Sequence, residues 1–146
     1  MSSAFNKFNQ FVQDVASGVH QLQTGTSQVL KVALTNSAPS ATNAVLGDIT
    51  EISAGNGYTA GGTTIGALTG AQTSGIFKLT NGTDPVFTAS GGTIGPFRYA
   101  VLYNATPTSP LKPLVGWFDY GSSITLADTE TLTVAFDHSG GVLTLQ

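Results

Sequence analysis

From Gln28 onward the apolar residues recur at every second position, and glycine, proline and asparagine interrupt them at short intervals. A period of two belongs to strands, because successive side chains point to opposite faces of a sheet. In VLKVALTN, Leu30, Val32 and Leu34 share one face while Lys31 and Thr35 point away. In FRYAVLYN, Phe97, Tyr99, Val101 and Tyr103 line one face and Arg98, Ala100 and Leu102 the other. Both faces are largely apolar, as expected of a central strand. LVGWFDYG (114–121) is a second aromatic strand, with Trp117 and Asp119 on one face and Phe118 and Tyr120 on the other. Near the C-terminus Leu132, Val134 and Phe136 alternate with Thr131, Thr133, Ala135 and Asp137.

Shorter extended segments are AVLGDITEI (44–52), IFKLTN (76–81), PVFTAS (85–90) and GVLTLQ (141–146). Turn chemistry separates them: NSAPSATN, NGTD, Ala127 to Glu130, and HSGG, which reads as a hairpin. NATPTSPLKP (104–113) holds three prolines and must be a loop. The glycine-dense stretch from Ser53 to Gly75 reads as a surface loop holding a short strand at Thr63 to Leu68. About eight strands at regular spacing predict an all-β fold, an antiparallel β-sandwich with jelly-roll, immunoglobulin-like and barrel variants open.

The first segment differs. Phe5, Phe8, Val12, Val15 and Val19 are spaced as a helical stripe, with Ser2 or Ser3 as N-cap and Gly18 at the end. A strand reading stays open there, since Phe, Val and Asn are mediocre helix formers. Residues 1–26 are expected to be a short helical or extended arm and residues 27–146 the sandwich. The apolar stripe must dock either on its own domain or on a neighbouring subunit.

Composition removes whole classes of function. Only 9% of the 146 residues are charged, against roughly 25% in an average domain. The net charge of −3 argues against nucleic acid as partner, since duplex binding needs many cations to displace counterions. Cysteine is absent, which excludes disulfides, thiolate metal sites and cysteine nucleophiles. No apolar run is long enough for a membrane-spanning helix, and MSSAFNKFNQFVQDV lacks the pattern of a secretory leader. No membrane partner and synthesis in a cytoplasm are expected.

Catalytic patterns are weak. His20 and His138 are the only histidines, and no G-x-S-x-G elbow is present. His138 reads as a turn residue and His20 as a polar residue near the end of the first segment. Asp119 is expected to pair with Arg98, the only arginine. Asp128, Glu130 and Asp84 lie in turns without a calcium-loop pattern. Gly55 to Gly62 lacks the ending of a phosphate loop. No catalytic, cofactor-binding or metal-ligating residue is assigned, and no cofactor is expected.

The segments KVALTNSAP, AVLGDITEISAGNGYTAGG, DPVFTASGGTIGPFRYAVLYN and PLVGWFDYGSSITLADTETLTVAFD, with AFNKFNQFV before them, resemble a group of small virion proteins of tailed bacteriophages. GNGYTAGG, FRYAVLY and WFDYGSS are the specific pieces. The resemblance implies a structural component of a phage particle, foremost a decoration (cement) protein on the capsid surface. Its partners would be the major capsid protein and copies of itself, as a trimer or dimer. Interface candidates are Phe5, Phe8, Phe11 and Val12 in the first segment and Tyr58 in the long loop, because buried aromatics dominate interface energy. The competing readings are a tail or neck subunit, a carbohydrate-binding module using Trp117 with Tyr99, Tyr103 or Tyr120, and a small hydrolase.

Overall fold

The structure is a computed structural model that describes residues 3–26 and 28–146. Among the described residues ten strands, one α-helix and one 3-10 turn follow in order: β1 (Phe5–Lys7), α1 (Asn9–Ala16), β2 (Leu30–Thr35), the 3-10 turn Leu46–Asp48, β3 (Thr63–Thr64), β4 (Thr69–Thr73), β5 (Ile76–Thr80), β6 (Val86–Thr88), β7 (Ile94–Asn104), β8 (Leu114–Leu126), β9 (Thr131–Thr133) and β10 (Leu143–Leu145). The fold is all-β and sandwich-like, with antiparallel pairing throughout and one short helix near the N-terminus.

One layer is a five-stranded sheet in the order β1-β8-β7-β2-β3. Against one face of it pack the three-stranded sheet β10-β5-β4 and the two-stranded ribbon β6-β9. The core between the layers includes Leu30, Val32, Leu34 and Leu102 from the large sheet and Leu79, Phe87 and Leu143 from the smaller ones, with Phe11 of α1. The opposite face of the large sheet buries Ala33, Val101, Tyr103 and Leu114 beneath Phe8 and Leu46, with Trp117 packed alongside. Burying both faces explains the near-continuous apolar run of FRYAVLYN.

Irregular pairing alters the expected faces. Between Phe97 and Tyr99 the β7–β8 register slips, since Tyr99 stands opposite Asp119 but Phe97 opposite Ile124. There β7 breaks its own alternation, and Phe97 lies in the inter-layer core with Ala100 and Leu102 rather than with Val101 and Tyr103. A bulge re-aims side chains in this way. The extra residues on β8 fall at Tyr120 to Ser123, all exposed.

Three other expectations are corrected. Ala44–Ile52 is not a strand: the Asp48 carboxylate accepts the N–H groups of Ala44 (2.8 Å) and Val45 (3.2 Å), closing the 3-10 turn on itself. The Ser53–Gly75 stretch holds two strands, β3 and β4. Within it Gly55 and Tyr58 exchange both main-chain hydrogen bonds, with Asn56 and Gly57 at φ 53° and 97°. That is a tight Asn-Gly hairpin turn. Finally, HSGG is closed by a bridge between Asp137 and Gly141, but the strands it joins go to different sheets.

The first segment is not a free arm. Residues 5–7 extend the large sheet along β8, and the helix starts only at Asn9. Phe5 and Phe8 therefore lie outside the helix, and its buried face is Phe11 and Asp14 rather than Val12. Gly18, at φ 75°, ends the helix as expected, with its N–H on the Val15 carbonyl.

Candidate functional site

A cleft of about 410 Å³ opens between the large sheet and the segment that begins with β9. Its walls are aromatic: Phe5 and Phe118 stand 5.5 Å apart, and Phe118 meets Phe136 edge-on at 5.8 Å. Tyr120 completes the lining on the bulge of β8. The volume lies in the range of ligand pockets, roughly 300–1,000 Å³.

Arg98 and Asp119 form a two-pronged ion pair at the rim. Arg98 Nε donates to Asp119 Oδ1 at 2.7 Å and Nη2 to Oδ2 at 2.9 Å. The Gly121 N–H also donates to Asp119 Oδ1, at 2.8 Å, and the Ser3 hydroxyl donates to the Asp119 main-chain carbonyl. The guanidinium lies over the Tyr99 ring, 5.3 Å from its centre. Hydrogen bonds from Arg98 and Gly121 hold the Asp119 carboxyl below its ordinary range, and the Asp119 bonds raise Arg98 further. Of this pair Arg98 lines the cleft; the acid among the lining residues is Asp137, which takes the Ser139 N–H at 2.8 Å. The cleft is therefore an apolar groove whose charges already have partners.

The two histidines occupy unrelated places. His138 is exposed and its Nε2 lies 3.1 Å from Asp84 Oδ1. That carboxylate also accepts from Asn81 (2.8 Å) and from the Phe136 N–H (3.2 Å). Partial burial acts to raise Asp84, but these hydrogen bonds outweigh it and hold the group low. His20 is buried against Phe11, its Nδ1 3.3 Å from Asn104 Nδ2 and its Nε2 4.0 Å from Asp14 Oδ2. Burial pushes its pKa down to about 4, against the raising influence of Asp14. Neither ring contacts a serine or threonine hydroxyl among the described residues. The described residues also hold no group of three or more His, Asp or Glu placed for a metal ion.

His20 sets an acid limit on stability. Unfolded, it binds a proton near pH 6.5; folded, only near pH 4. The unfolded chain gains the proton first as pH falls, so stability present above pH 6.5 is lost between 6.5 and 4. The loss is of the order of 3 kcal/mol. A melting-temperature series should decline from pH 6.5 to 5, above the range where depressed carboxylates matter, and His20→Gln should flatten that decline.

The interface candidates divide. Phe5 and Val12 are exposed at 37% and 54%. Phe8, Phe11 and Tyr58 are buried within the chain's own core, so the expectation that they reach a neighbour is corrected. Phe8 packs on Trp117 with ring centres 4.6 Å apart. The Tyr58 hydroxyl donates to Glu51 Oε1 at 2.5 Å and accepts the Leu34 N–H at 3.0 Å. Burial, then the Glu51 carboxylate, pushes that phenol up. The Tyr103 hydroxyl donates to the Gly61 carbonyl at 2.6 Å, and burial takes its pKa to about 12. Of the residues offered as a sugar platform, Trp117 lies on Phe8, Tyr103 is buried and Tyr99 carries Arg98, while Tyr120 is exposed.

The cleft is not legible in the sequence, because Phe5 and Phe118 come from different strands and Phe136 from the segment after β9. The one local sign was the uncharged alternation of TLTVAF. Comparison of the chain with protein families, with curated proteins and with solved structures finds no match.

Proposed function

We propose that the protein is a structural subunit of a tailed-bacteriophage particle, a decoration protein that braces the capsid by contacts with the major capsid protein and with its own copies. The observation that carries the reading is the character of the aromatic cleft. Its walls are Phe5, Phe118, Tyr120 and Phe136, and the Arg98–Asp119 pair at its rim is already neutralised. Such a surface offers area to bury rather than groups to react. The resemblance of GNGYTAGG, FRYAVLY and WFDYGSS to phage virion proteins supplies the setting, and the low charge suits a surface packed against neighbours. Many repeated copies would multiply modest contacts into avidity.

The test is addition of purified protein to capsids that lack it. It should bind at a fixed number of copies per particle and raise the particle's melting temperature. Copurification with tails, or polymerisation into tubes, would move the assignment to the tail. No association with any particle would end it.

A further inference from the structure

Strand β9 is paired on one side only. The Val134 N–H donates to the Pro85 carbonyl at 3.0 Å and the Ala89 N–H to the Glu130 carbonyl at 2.9 Å. With Val86 opposite Thr133, these bonds commit the main-chain groups of residues 130, 132 and 134 to β6. The peptide groups of Thr131 and Thr133 then point the other way, as do those of Ala135 one step on. Among the described residues no main-chain partner meets them. The stretch Thr131 to Phe136, TLTVAF, has no charge, glycine or proline; Glu130 and Asp137 bracket it.

Natural sheets blunt such edges with charges, prolines, bulges or covering segments. The outer edge of β4 shows the contrast. Thr24 covers it, its N–H on the Gly70 carbonyl at 3.1 Å and its hydroxyl accepting the Gly70 N–H at 3.0 Å. Among the described residues nothing equivalent covers β9. Its segment instead forms one wall of the aromatic cleft, with Phe5 (37% exposed) and Tyr120 (43% exposed) in the same lining.

We propose that two copies of the chain pair through β9, antiparallel about a two-fold axis, joining their β6–β9 ribbons into one four-stranded sheet. A two-fold contact requires a patch that is its own complement, and TLTVAF meets that condition. Centred on Thr133, the register sets Thr133 against Thr133 of the second copy and Thr131 against Ala135, giving about six N–H···O bonds. Glu130 then falls opposite Phe136, and Asp137 opposite Thr129, so no acid faces an acid. The added strand also covers Phe5 and Tyr120. This inference stands on β9 and not on the capsid assignment.

Sedimentation velocity over a wide range of concentration, with hydrogen exchange on the same samples, tests it. Wild type should pass from monomer to dimer, and the amides of Thr131, Thr133 and Ala135 should slow as the dimer forms. Thr133→Pro removes the donor at the centre of the seam, one the fold itself does not use. Thr133→Lys sets like charges against each other there. Each should weaken dimerisation by about tenfold or more with unchanged circular dichroism. If both variants misfold, the wild-type exchange pattern decides. A chain that stays monomeric throughout overturns the proposal. So does a dimer in which those amides exchange as fast as in the monomer, or protection of them only by an unlike protein. A dimer that binds no particle, or a monomer that does, separates this inference from the capsid reading.

Discussion

Gly62→Ala is expected to remove cooperative folding, or to lower stability by more than about 4 kcal/mol, in the range reached only by steric or core failures. Gly62 has φ 71°, where an L side chain is strained. A Cβ there would stand 1.8 Å from the Val32 carbonyl oxygen and 2.8 Å from Ala33 Cα. Those atoms belong to β2, which pairs with β7 over its whole length. Relief would require moving a strand whose Val32 and Leu34 sit in the inter-layer core and whose Ala33 packs on the other face. Thermal denaturation and the far-ultraviolet spectrum are the checks. Gly61→Ala is the comparison, since a Cβ there would meet only the Tyr103 hydroxyl, at 3.0 Å. Its effect should be clearly smaller. Equal, mild effects would mean that β2 and the residues before β3 are not in this contact.

Phe8→Ala should cost about 3–5 kcal/mol, the range for emptying a buried aromatic site. Phe8 is fully buried and holds the second core together with Leu46, Val101, Tyr103 and Leu114. It lies directly on Trp117, the only tryptophan. The variant should therefore also shift the native tryptophan emission, and chemical denaturation followed by fluorescence reads both effects. Val12→Ala on the exposed side of α1 is the contrast, with an effect within about 0.5 kcal/mol. A native spectrum unchanged by Phe8→Ala would place that ring away from Trp117.

The difference between those two residues marks how far the sequence could be read. Strand character was legible wherever alternation ran long, as in β2, β7 and β8, because a two-residue period has one structural meaning. Burial on both faces of β7 followed from the same pattern. The Arg98–Asp119 pair was legible because the chain has one arginine and the two residues lie on the two aromatic strands. What failed was phase. Phe5, Phe8 and Val12 fit a helical stripe, yet the first two belong to extended backbone that pairs with β8, leaving Phe5 exposed and Phe8 buried. A tertiary contact overrode local spacing there. The irregular β7–β8 register similarly breaks the alternation of β7 at Phe97, and Gly121, at φ 98° among the extra residues of β8, was a local sign of it. Asn56-Gly57 was a strong turn signal diluted by the glycines around it. The cleft was hidden because distant strands contribute each wall.

The polar anchors of the glycine-rich stretch have a consequence for encounter rates. Glu51 Oε1 receives both the Tyr58 hydroxyl and the Gly61 N–H, while the Tyr103 hydroxyl holds the Gly61 carbonyl from the neighbouring strand β7. The backbone freedom that glycine confers is thus already removed. A molecule arriving at this side meets a ready shape, and its capture there would be governed by diffusion and orientation rather than by rearrangement.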